Sequence, residues 1–520
     1  MPRLHPYSIL YPISLLIMLS LMYGCASVPF DAPKPASYAF DSSATANTFL
    51  GSRVEALSAA HPNQSGFFLL DDGIDALAAR LLLSGRAERS IDAQYYLLHN
   101  DVAGHLFLVA LLQAADRGVR VRLLVDDITT AGHDVDMAAF DAHPNMEIRV
   151  FNPFSRSRGR FLSGATEFRR INRRMHNKSM TFDNQVTIVG GRNIGAEYFE
   201  AQEVSNYNDL DVLGIGPVAQ EVSAAFDTYW NDPVAVPANL LVSIENATAE
   251  LDKRQAAIPE FIANARQTPF GAALESTLLE SISNNETPLI WSKATVVADP
   301  PQKAQQGYRG DHPEQLSSVM GPVVRATEKE LVVVSAYFVP RQSGVELFRS
   351  LTERGARVLI LTNSLAANDV VPVHAGYSRY RKDLLEAGVE LWEVRAEAKR
   401  ESRQRRGLGY SQSSLHTKAF TVDRRYLFIG SFNWDPRSVN INTEMGVYLD
   451  APDMTVPVLE HFEGRLQEIA YRLRLDEKGK IEWVGWENGE EVIYHNEPGA
   501  SFWKRFTAGF YRLLPLESQL

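Results

Sequence analysis

The chain has 520 residues, 45% of them hydrophobic and 22% charged, a balance that suits a folded protein of more than one domain and excludes a disordered one. With 52 Lys and Arg against 63 Asp and Glu the net charge is −11, which argues against a surface built for nucleic acid, although local basic patches still decide contact with phosphates. Cys25 is the single cysteine, so an intramolecular disulfide framework and a cysteine-rich zinc site are both excluded.

Residues 1–25 read as an export segment. Arg3 lies in a short n-region, and Ile9 to Leu21 is a mostly apolar run of 13 residues, short for a membrane span of about 20. Gly24-Cys25 behind that run resembles a bacterial lipoprotein signal, which implies lipidation at Cys25. An uncleaved anchor over Tyr7 to Gly24 is the alternative, and either reading puts this end at a membrane. Residues 26–60 are expected to be a tether, because 28–48 is rich in Pro, Ala, Ser and Asp.

From residue 61 the chain repeats itself with a period near 240 residues. Ala93-Gln94-Tyr95-Tyr96 is echoed by Ser335-Ala336-Tyr337-Phe338, and Arg117-Gly118-Val119-Arg120-Val121 by Arg354-Gly355-Ala356-Arg357-Val358. Each copy reads strand, helix, strand, with glycine at the helix end, where a left-handed residue is cheap. The expected strands are Val121–Val125 and Val358–Leu361, followed by Glu147–Phe151 and Val389–Val394. The expected domains are 61–240 and 326–472, joined by 241–325 and followed by a C-terminal extension, 473–520.

The repeat is tightest at His176-Asn177-Lys178-Ser179-Met180-Thr181-Phe182-Asp183 with Gly190-Gly191-Arg192-Asn193, and at His416-Thr417-Lys418-Ala419-Phe420-Thr421-Val422-Asp423 with Gly430-Ser431-Phe432-Asn433. His, Lys, Asp, Gly and Asn all recur at an offset of 240. On a strand, His and Lys two apart share a face, and glycines let the backbone approach an anion. Asn193 and Asn433 can donate to phosphate oxygens. Two halves across a pseudo-twofold axis would bring two imidazoles, two ammoniums and two amides onto a phosphate-sized space. Each half also carries a later acid, Asp209 and Glu444. A carboxylate on histidine Nδ1 fixes the tautomer and leaves Nε2 free. Asp209 is expected to serve His176, and Glu444 to serve His416.

HxKxxxxD followed by GGxN or GSxN, twice in one chain, resembles the phospholipase D superfamily from about residue 65 onward. The resemblance implies an α/β fold in which two pseudo-symmetric sandwich domains pack around one shared active site. It implies one histidine as nucleophile, through a phosphohistidine, and the other as general acid and then base. It calls for no metal and no other cofactor. His176, Lys178, Asp183, His416, Lys418 and Asp423 are the catalytic residues it implies, with Asn193 and Asn433 on the substrate phosphate. Phe151-Asn152-Pro153-Phe154-Ser155, Asn172-Arg173-Arg174-Met175, Asn363 to Asp369, Val373-His374-Ala375-Gly376-Tyr377 and Ser501-Phe502-Trp503-Lys504-Arg505 resemble the bacterial cardiolipin synthase C type. That likeness implies transfer of a phosphatidyl group from phosphatidylethanolamine to phosphatidylglycerol. The likeness also implies phospholipid partners in a bilayer, no nucleic acid, and a place in the bacterial cell envelope. Lipid anchoring through Cys25 would face the protein to the periplasm; whether a small accessory membrane protein takes part is open.

Before each motif the chain is basic, with Arg156 to Arg174 in the first half and Arg395 to Arg406 in the second, read either as solvated arms or as a collar for anionic lipid. The tail Phe502 to Leu514 mixes aromatics with cations, as suits a membrane interface or a helix docked on the core. Gly190-Gly191-Arg192 fails as a dinucleotide fingerprint, since Arg192 stands where the second glycine belongs. A phospholipase D-type hydrolase has the same residues and takes water as acceptor. A nuclease is disfavoured by the charge and the membrane-bound N-terminus, and a lipid-binding protein would not need both motifs.

Overall fold

The computed structural model describes residues 28–130, 132–156, 167–199, 205–284, 286, 288–305, 312–396, 412–515, 517 and 519. Cys25 and the basic residues Arg158, Arg160, Lys399, Arg400, Arg403, Arg405 and Arg406 lie outside them.

The first half runs α1 (Phe49–Ser58), β1 (Ser65–Leu70), α2 (Gly73–Arg86), β2 (Ser90–Tyr95), α3 (Val102–Asp116), β3 (Arg120–Asp126), α4 (Asp134–Asp141), β4 (Met146–Phe151), β5 (Ser179–Phe182), β6 (Val186–Gly190), β7 (Ser205–Asn208), β8 (Asp211–Ile215), α5 (Pro217–Trp230) and β9 (Ala235–Pro237). The connecting region supplies α6 (Ala247–Ala265), β10 (Ile290–Ser292), β11 (Ala294–Ala298) and α7 (Leu316–Arg325). The second half runs β12 (Glu330–Ser335), α8 (Arg341–Glu353), β13 (Arg357–Asn363), α9 (Val371–Ser378), α10 (Arg381–Glu386), β14 (Glu390–Val394), β15 (Gln412–Leu415), β16 (Lys418–Val422), β17 (Tyr426–Gly430), β18 (Met445–Asp450), α11 (Pro452–Ile469), β19 (Ala470–Leu475), β20 (Ile481–Glu487), β21 (Glu490–Tyr494) and α12 (Phe502–Arg512).

The strands form a nine-stranded sheet, β10-β1-β8-β6-β5-β2-β3-β4-β9, and a ten-stranded one, β11-β18-β17-β16-β12-β13-β14-β19-β20-β21. In each, three parallel strands (β2, β3, β4 or β12, β13, β14) are followed by an antiparallel hairpin (β5–β6 or β16–β17) and a further strand (β8 or β18). Helices follow parallel strands because only a crossover returns the chain to the same edge. Their ends are set locally: Asp101 accepts from Gly104 N–H to start α3, and Gly118 and Gly355 take φ of 94° and 90° just past α3 and α8.

The register places the repeat more finely. Ile91 pairs with Phe182 and Leu331 with Val422, so β2 and β12 correspond at an offset of 240. Ser335 therefore matches Tyr95, and the expected echo of Ala93 by Ser335 is displaced by two residues; small and aromatic residues on one strand face recur every second position, which hides such a slip.

The connection is more than a linker. β10 and β11 close the outer edges of the two sheets, Ser65 facing Ser292 and Ala294 facing Leu449. In the C-terminal extension β19 pairs with β14, and β20 and β21 continue the sheet outward. A short two-stranded ladder, β7 with β15, joins the halves directly.

The expected tether is corrected. Residues 28–48 lie along the first sheet, and α1 follows at once. Lys34 Nζ donates to the Asp232 and Ala235 carbonyls at 2.6 Å. Buried Arg149 and Arg122 donate to the Pro35 and Ser37 carbonyls at 2.8 and 2.7 Å. Asn184 and Gln185 hold the Phe40 and Ser42 carbonyls. Proline lacks an N–H but keeps its carbonyl, so a proline-rich strap serves arginines that need acceptors.

Candidate active site

The two motifs meet where the halves face each other. Each histidine sits in the break just before a strand, since β5 starts at Ser179 and β16 at Lys418. The expected His and Lys pair on one regular strand is thus corrected: His176 and Lys178 both precede β5, and in the second half only Lys418 lies on its strand. Residues at the ends of β3 and β13 hold the breaks. Asp126 accepts from Met175 N–H at 2.9 Å and pairs with Arg174 at 3.1 Å. Asn363 brackets Leu415, accepting from its N–H at 2.9 Å and donating to its carbonyl at 2.8 Å.

The main chains then cross. His176 N–H donates to Thr443 O at 2.9 Å, and His416 N–H donates to Asn208 O at 2.8 Å. Thr443 and Asn208 immediately precede the two acids. His176 Nδ1 is therefore 2.8 Å from Glu444 Oε2, and His416 Nδ1 is 2.5 Å from Asp209 Oδ2. This overturns the expected pairing within each half. Alignment of the repeats locates equivalent acids, but both lie at the pseudo-twofold axis and reach across it.

The acids are held differently. Glu444 accepts from Ser431 Oγ at 2.5 Å and Ser438 Oγ at 2.8 Å, and its N–H donates to Asp299 Oδ2 at 2.9 Å. At the position of Ser431 the first half has Gly191, where an added Cβ would stand 2.1 Å from Asp209 Oδ1. The GG and GS versions of the motif thus match their own acids: glycine makes room for Asp209, and serine donates to Glu444.

Lys178 and Lys418 are buried, and each Nζ donates to its own motif histidine's carbonyl, Lys178 at 2.6 Å. Lys418 Nζ also lies 2.9 Å from His416 Nδ1. Burial lowers the Lys178 ammonium to about 7, with Lys418 pushing the same way, and burial lowers Lys418 too. Burial, then the two lysines and His416, holds His176 well below the ordinary imidazole value. His416 is also lowered, by burial and Lys418, but Asp209 works against that. Burial raises Glu444 to about 7 despite Lys178, whereas His416 and Lys418 overcome burial to keep Asp209 below the usual carboxylate value. Both imidazoles are thus biased toward the neutral form, and the two half-sites differ in their carboxylates, Asp209 held ionised and Glu444 raised.

Asn193 and Asn433 are buried, and their Oδ1 atoms accept from Leu97 and Tyr337 N–H at 3.2 and 3.4 Å. With Oδ1 so engaged, each amide turns its NH2 away from that backbone. Arg192, between the glycines and Asn193, is structural and donates to Leu70 O at 2.6 Å.

Asp183 and Asp423 are corrected from the catalytic set. Asp183 accepts from Arg89 and Ser90 N–H at 2.8 and 2.9 Å and from Glu88 N–H, and Asp423 does the same with residues 328–330. Both lie at the far end of the strand from the histidine and anchor the loop before β2 or β12.

Aromatic rings wall the site, and the motifs alone did not reveal them. Tyr96 meets His176 edge-on at 4.9 Å, with Lys178 Nζ 5.3 Å from its centroid. Tyr198 and Tyr207 pack on His416 at 5.0 and 5.2 Å. Tyr207 and Tyr337 both donate to Asp369. Of the described residues of the basic collar, Arg156 pairs with Asp127, Arg170 with Glu167, Arg174 with Asp126, and Arg173 donates to Lys303 O. Among the described residues His99, Asp101 and Glu197 come within chelating reach of one another. His99 pairs with Glu197 at 2.9 Å, and Asp101 accepts from Gly104 and Ala196 N–H, so each has a structural use.

Residues 83–230 and 323–466 match the family model described as cardiolipin synthase, PLD-like domain. The chain is 41% identical to cardiolipin synthase C of Escherichia coli (strain K12) over 474 residues, 90% of this chain and 99% of that one. It is 23% identical to a cardiolipin synthase of Clostridium perfringens (strain SM101 / Type A) over 367 residues, 70% of this chain and 62% of that one. Among solved structures it is similar in fold to phosphatidylserine synthase of Haemophilus influenzae Rd KW20, with a TM-score of 0.54 and 16% identity across 90% of this chain and 100% of that one. Both halves of the repeat fall inside the family model, one half-site in each, and the chain belongs to the cardiolipin synthase family of PLD-like proteins.

Proposed function

We propose that the protein is a phosphatidyltransferase that makes cardiolipin from phosphatidylethanolamine and phosphatidylglycerol. The observation that carries this reading is the crossed pair of half-sites: each histidine is completed by the other half's carboxylate, so both act on one phosphodiester. The 41% identity to cardiolipin synthase C supports the product.

The donor phosphate docks between Lys178 and Lys418, whose charges offset those of its oxygens, with Asn193 and Asn433 beside them. His176 has its Nδ1 proton on Glu444 and an open Nε2, and its depressed basicity keeps it neutral at pH 7. That nitrogen attacks phosphorus. His416, backed by ionised Asp209, gives its Nε2 proton to the departing ethanolamine oxygen. A nitrogen–phosphorus bond forms, an oxygen–phosphorus bond breaks, and ethanolamine leaves. His416 then takes the proton of the phosphatidylglycerol hydroxyl, whose oxygen attacks phosphorus and frees His176. One phosphodiester replaces another, so no nucleotide is consumed.

Membrane association belongs to the same reading. No helix among the described residues is long and apolar enough to cross a membrane. α12, however, leaves Phe502, Trp503, Phe506, Phe510 and Leu513 between 55% and 82% exposed, beside Lys504 and Arg505. Lys504 Nζ donates to the Ala366 and Asn368 carbonyls, next to the Asp369 that holds Tyr207 and Tyr337 at the site. A helix lying in the interface there would present the site to lipid headgroups. Residues 1–25 supply the second attachment in this reading, lipidated at Cys25 in the cell envelope.

The test uses vesicles of phosphatidylethanolamine and phosphatidylglycerol without nucleotide or metal. Cardiolipin and ethanolamine should appear in equal amounts, and His176→Ala and His416→Ala should each lower the rate by about 10²–10⁴-fold or more. Dominant phosphatidic acid would make the protein a hydrolase. Glycerol released in place of ethanolamine would make phosphatidylglycerol the donor.

A further inference from the structure

A cavity of about 250 Å³ lies in the first half between α3, α4, the parallel strands and α6, the helix the connecting region lays over them. Its wall is almost entirely apolar, with Leu108, Val109, Phe140, Ile148, Ile258 and Phe261 facing the space. Cavities of about 150 Å³ with such walls stay dry and take apolar guests. A larger one left empty forgoes the dispersion contacts that a packed interior makes.

One polar end of the cavity is formed by the loops that follow β2 and β3, with His99, Asn100, Thr129 and Thr130; the other polar lining residues are His105 on α3, His133 and Asp136 at the start of α4, and Arg254 on α6. Those loops leave the carboxyl ends of parallel strands, where open α/β sheets bind ligands. The first begins with Tyr96, which packs on His176, and Leu97, whose N–H donates to Asn193. His99 itself contacts Tyr198 at 6.3 Å, and Tyr198 contacts His416 at 5.0 Å. This polar end of the cavity and the catalytic histidines thus share one edge of the sheet. Arg254, at the α6 wall, is neutralised by Asp136 and Glu250, so no free anion site competes there.

From this we infer that the cavity takes one acyl chain of the phospholipid whose phosphate sits between His176 and His416. The inference rests on the phosphatidyl-transfer reading and adds a chain-selecting subsite to it. A phospholipid is a ligand whose charged and apolar parts are joined, phosphate at the histidines and chain past His99. No covalent step is involved: the chain anchors the glycerol end while phosphorus reacts.

The experiment compares a series of donors from dioctanoyl to dipalmitoyl in mixed micelles, with wild type, Val109→Phe and Ala257→Trp. Val109 and Ala257 line the cavity from α3 and α6 and touch none of the catalytic groups named above. In wild type, kcat/KM should rise with chain length, up to about fourfold per buried methylene, until the cavity fills. Both variants should flatten the rise and leave the shortest donor nearly unaffected. A flat wild-type profile, or an equal loss at every length, overturns the inference. Trp fluorescence separates this outcome from failure of the functional reading. Phospholipid brominated along its chains should quench the Ala257→Trp protein more than wild type, whether or not any turnover occurs. Brominated free fatty acid that quenches equally well at equal concentration, with a flat donor profile, would assign the cavity to a free acid instead.

Discussion

At the residue scale the crossed carboxylates make a prediction that pairing within each half does not. Glu444→Gln should alter His176, the proposed nucleophile, and Asp209→Asn should alter His416, the proposed acid, each from the opposite half of the chain. Either change replaces an acceptor-only carboxylate with an amide whose NH2 can donate to Nδ1, so the tautomer is no longer fixed, and turnover should fall by about 10²–10⁴-fold. Side-chain nitrogen NMR decides the pairing: Glu444→Gln should shift the His176 resonances and leave those of His416 nearly in place. The reverse result would restore the pairing within each half. Ser431 and Ser438 fit the same picture, since two hydroxyl donors keep a buried glutamate in position.

At the scale of elements, the hairpins β5–β6 and β16–β17 place the lysine at one end and the aspartate at the other. Asp183 takes φ of 51° at its turn and satisfies backbone N–H groups that would otherwise be buried without acceptors. Asp183→Ala should cost about 2–4 kcal/mol in a denaturant titration, with kcat of the folded fraction within a few-fold of normal. Asp183→Asn should recover part of the loss, because asparagine tolerates the left-handed turn and keeps one acceptor. A catalytic loss as deep as that of His176→Ala at unchanged stability would return Asp183 to the chemistry. α12 makes a separate prediction. Its N-terminus is capped by Ser501, and the side chains of Trp503, Phe506 and Phe510 are largely exposed. Replacing Trp503, Phe506 and Phe510 by serine should weaken vesicle co-sedimentation at least about tenfold. Turnover of a short-chain donor in detergent micelles should be spared.

At the scale of the whole molecule, the site is a place where stability is given up. Two lysines, two histidines and two acids are buried together at the junction of the halves. The folded-state value of Lys178, about 7, is below its ordinary 10.5, so the fold carries the cost of a buried ammonium in full below pH 7. The cost fades as pH rises toward 10.5, where the unfolded chain loses the same proton. Lys178→Met should therefore abolish turnover yet raise Tm by about 2 °C or more at pH 6, and the gain should vanish near pH 10.5. Calorimetry across that range checks the sign; a Tm lowered at pH 6 would show that the lysine holds the halves together.

The repeat, the strand, helix, strand order in each half and the identities of His176, His416, Lys178, Lys418, Asn193 and Asn433 were legible in the sequence, because each follows from local pattern and from the fixed offset of 240. Which acid serves which histidine was not legible. Asp209 and Glu444 are equivalent in the chain, and only the exchange of main-chain hydrogen bonds at the pseudo-twofold axis decides that each reaches across. The role of Asp183 and Asp423 was open for a related reason: the same spacing from the histidine in both halves does not show what lies at the strand's far end, and the strand carries both carboxylates away from the histidines to backbone N–H groups. Residues 28–48 look like a solvated tether by composition, yet the Pro35 carbonyl accepts from Arg149 and Lys34 donates to the Asp232 carbonyl, each more than a hundred residues away. Composition reports what a segment can solvate. Whether it docks depends on which unsatisfied donors the rest of the fold brings beside it, and that is a property of the tertiary structure alone.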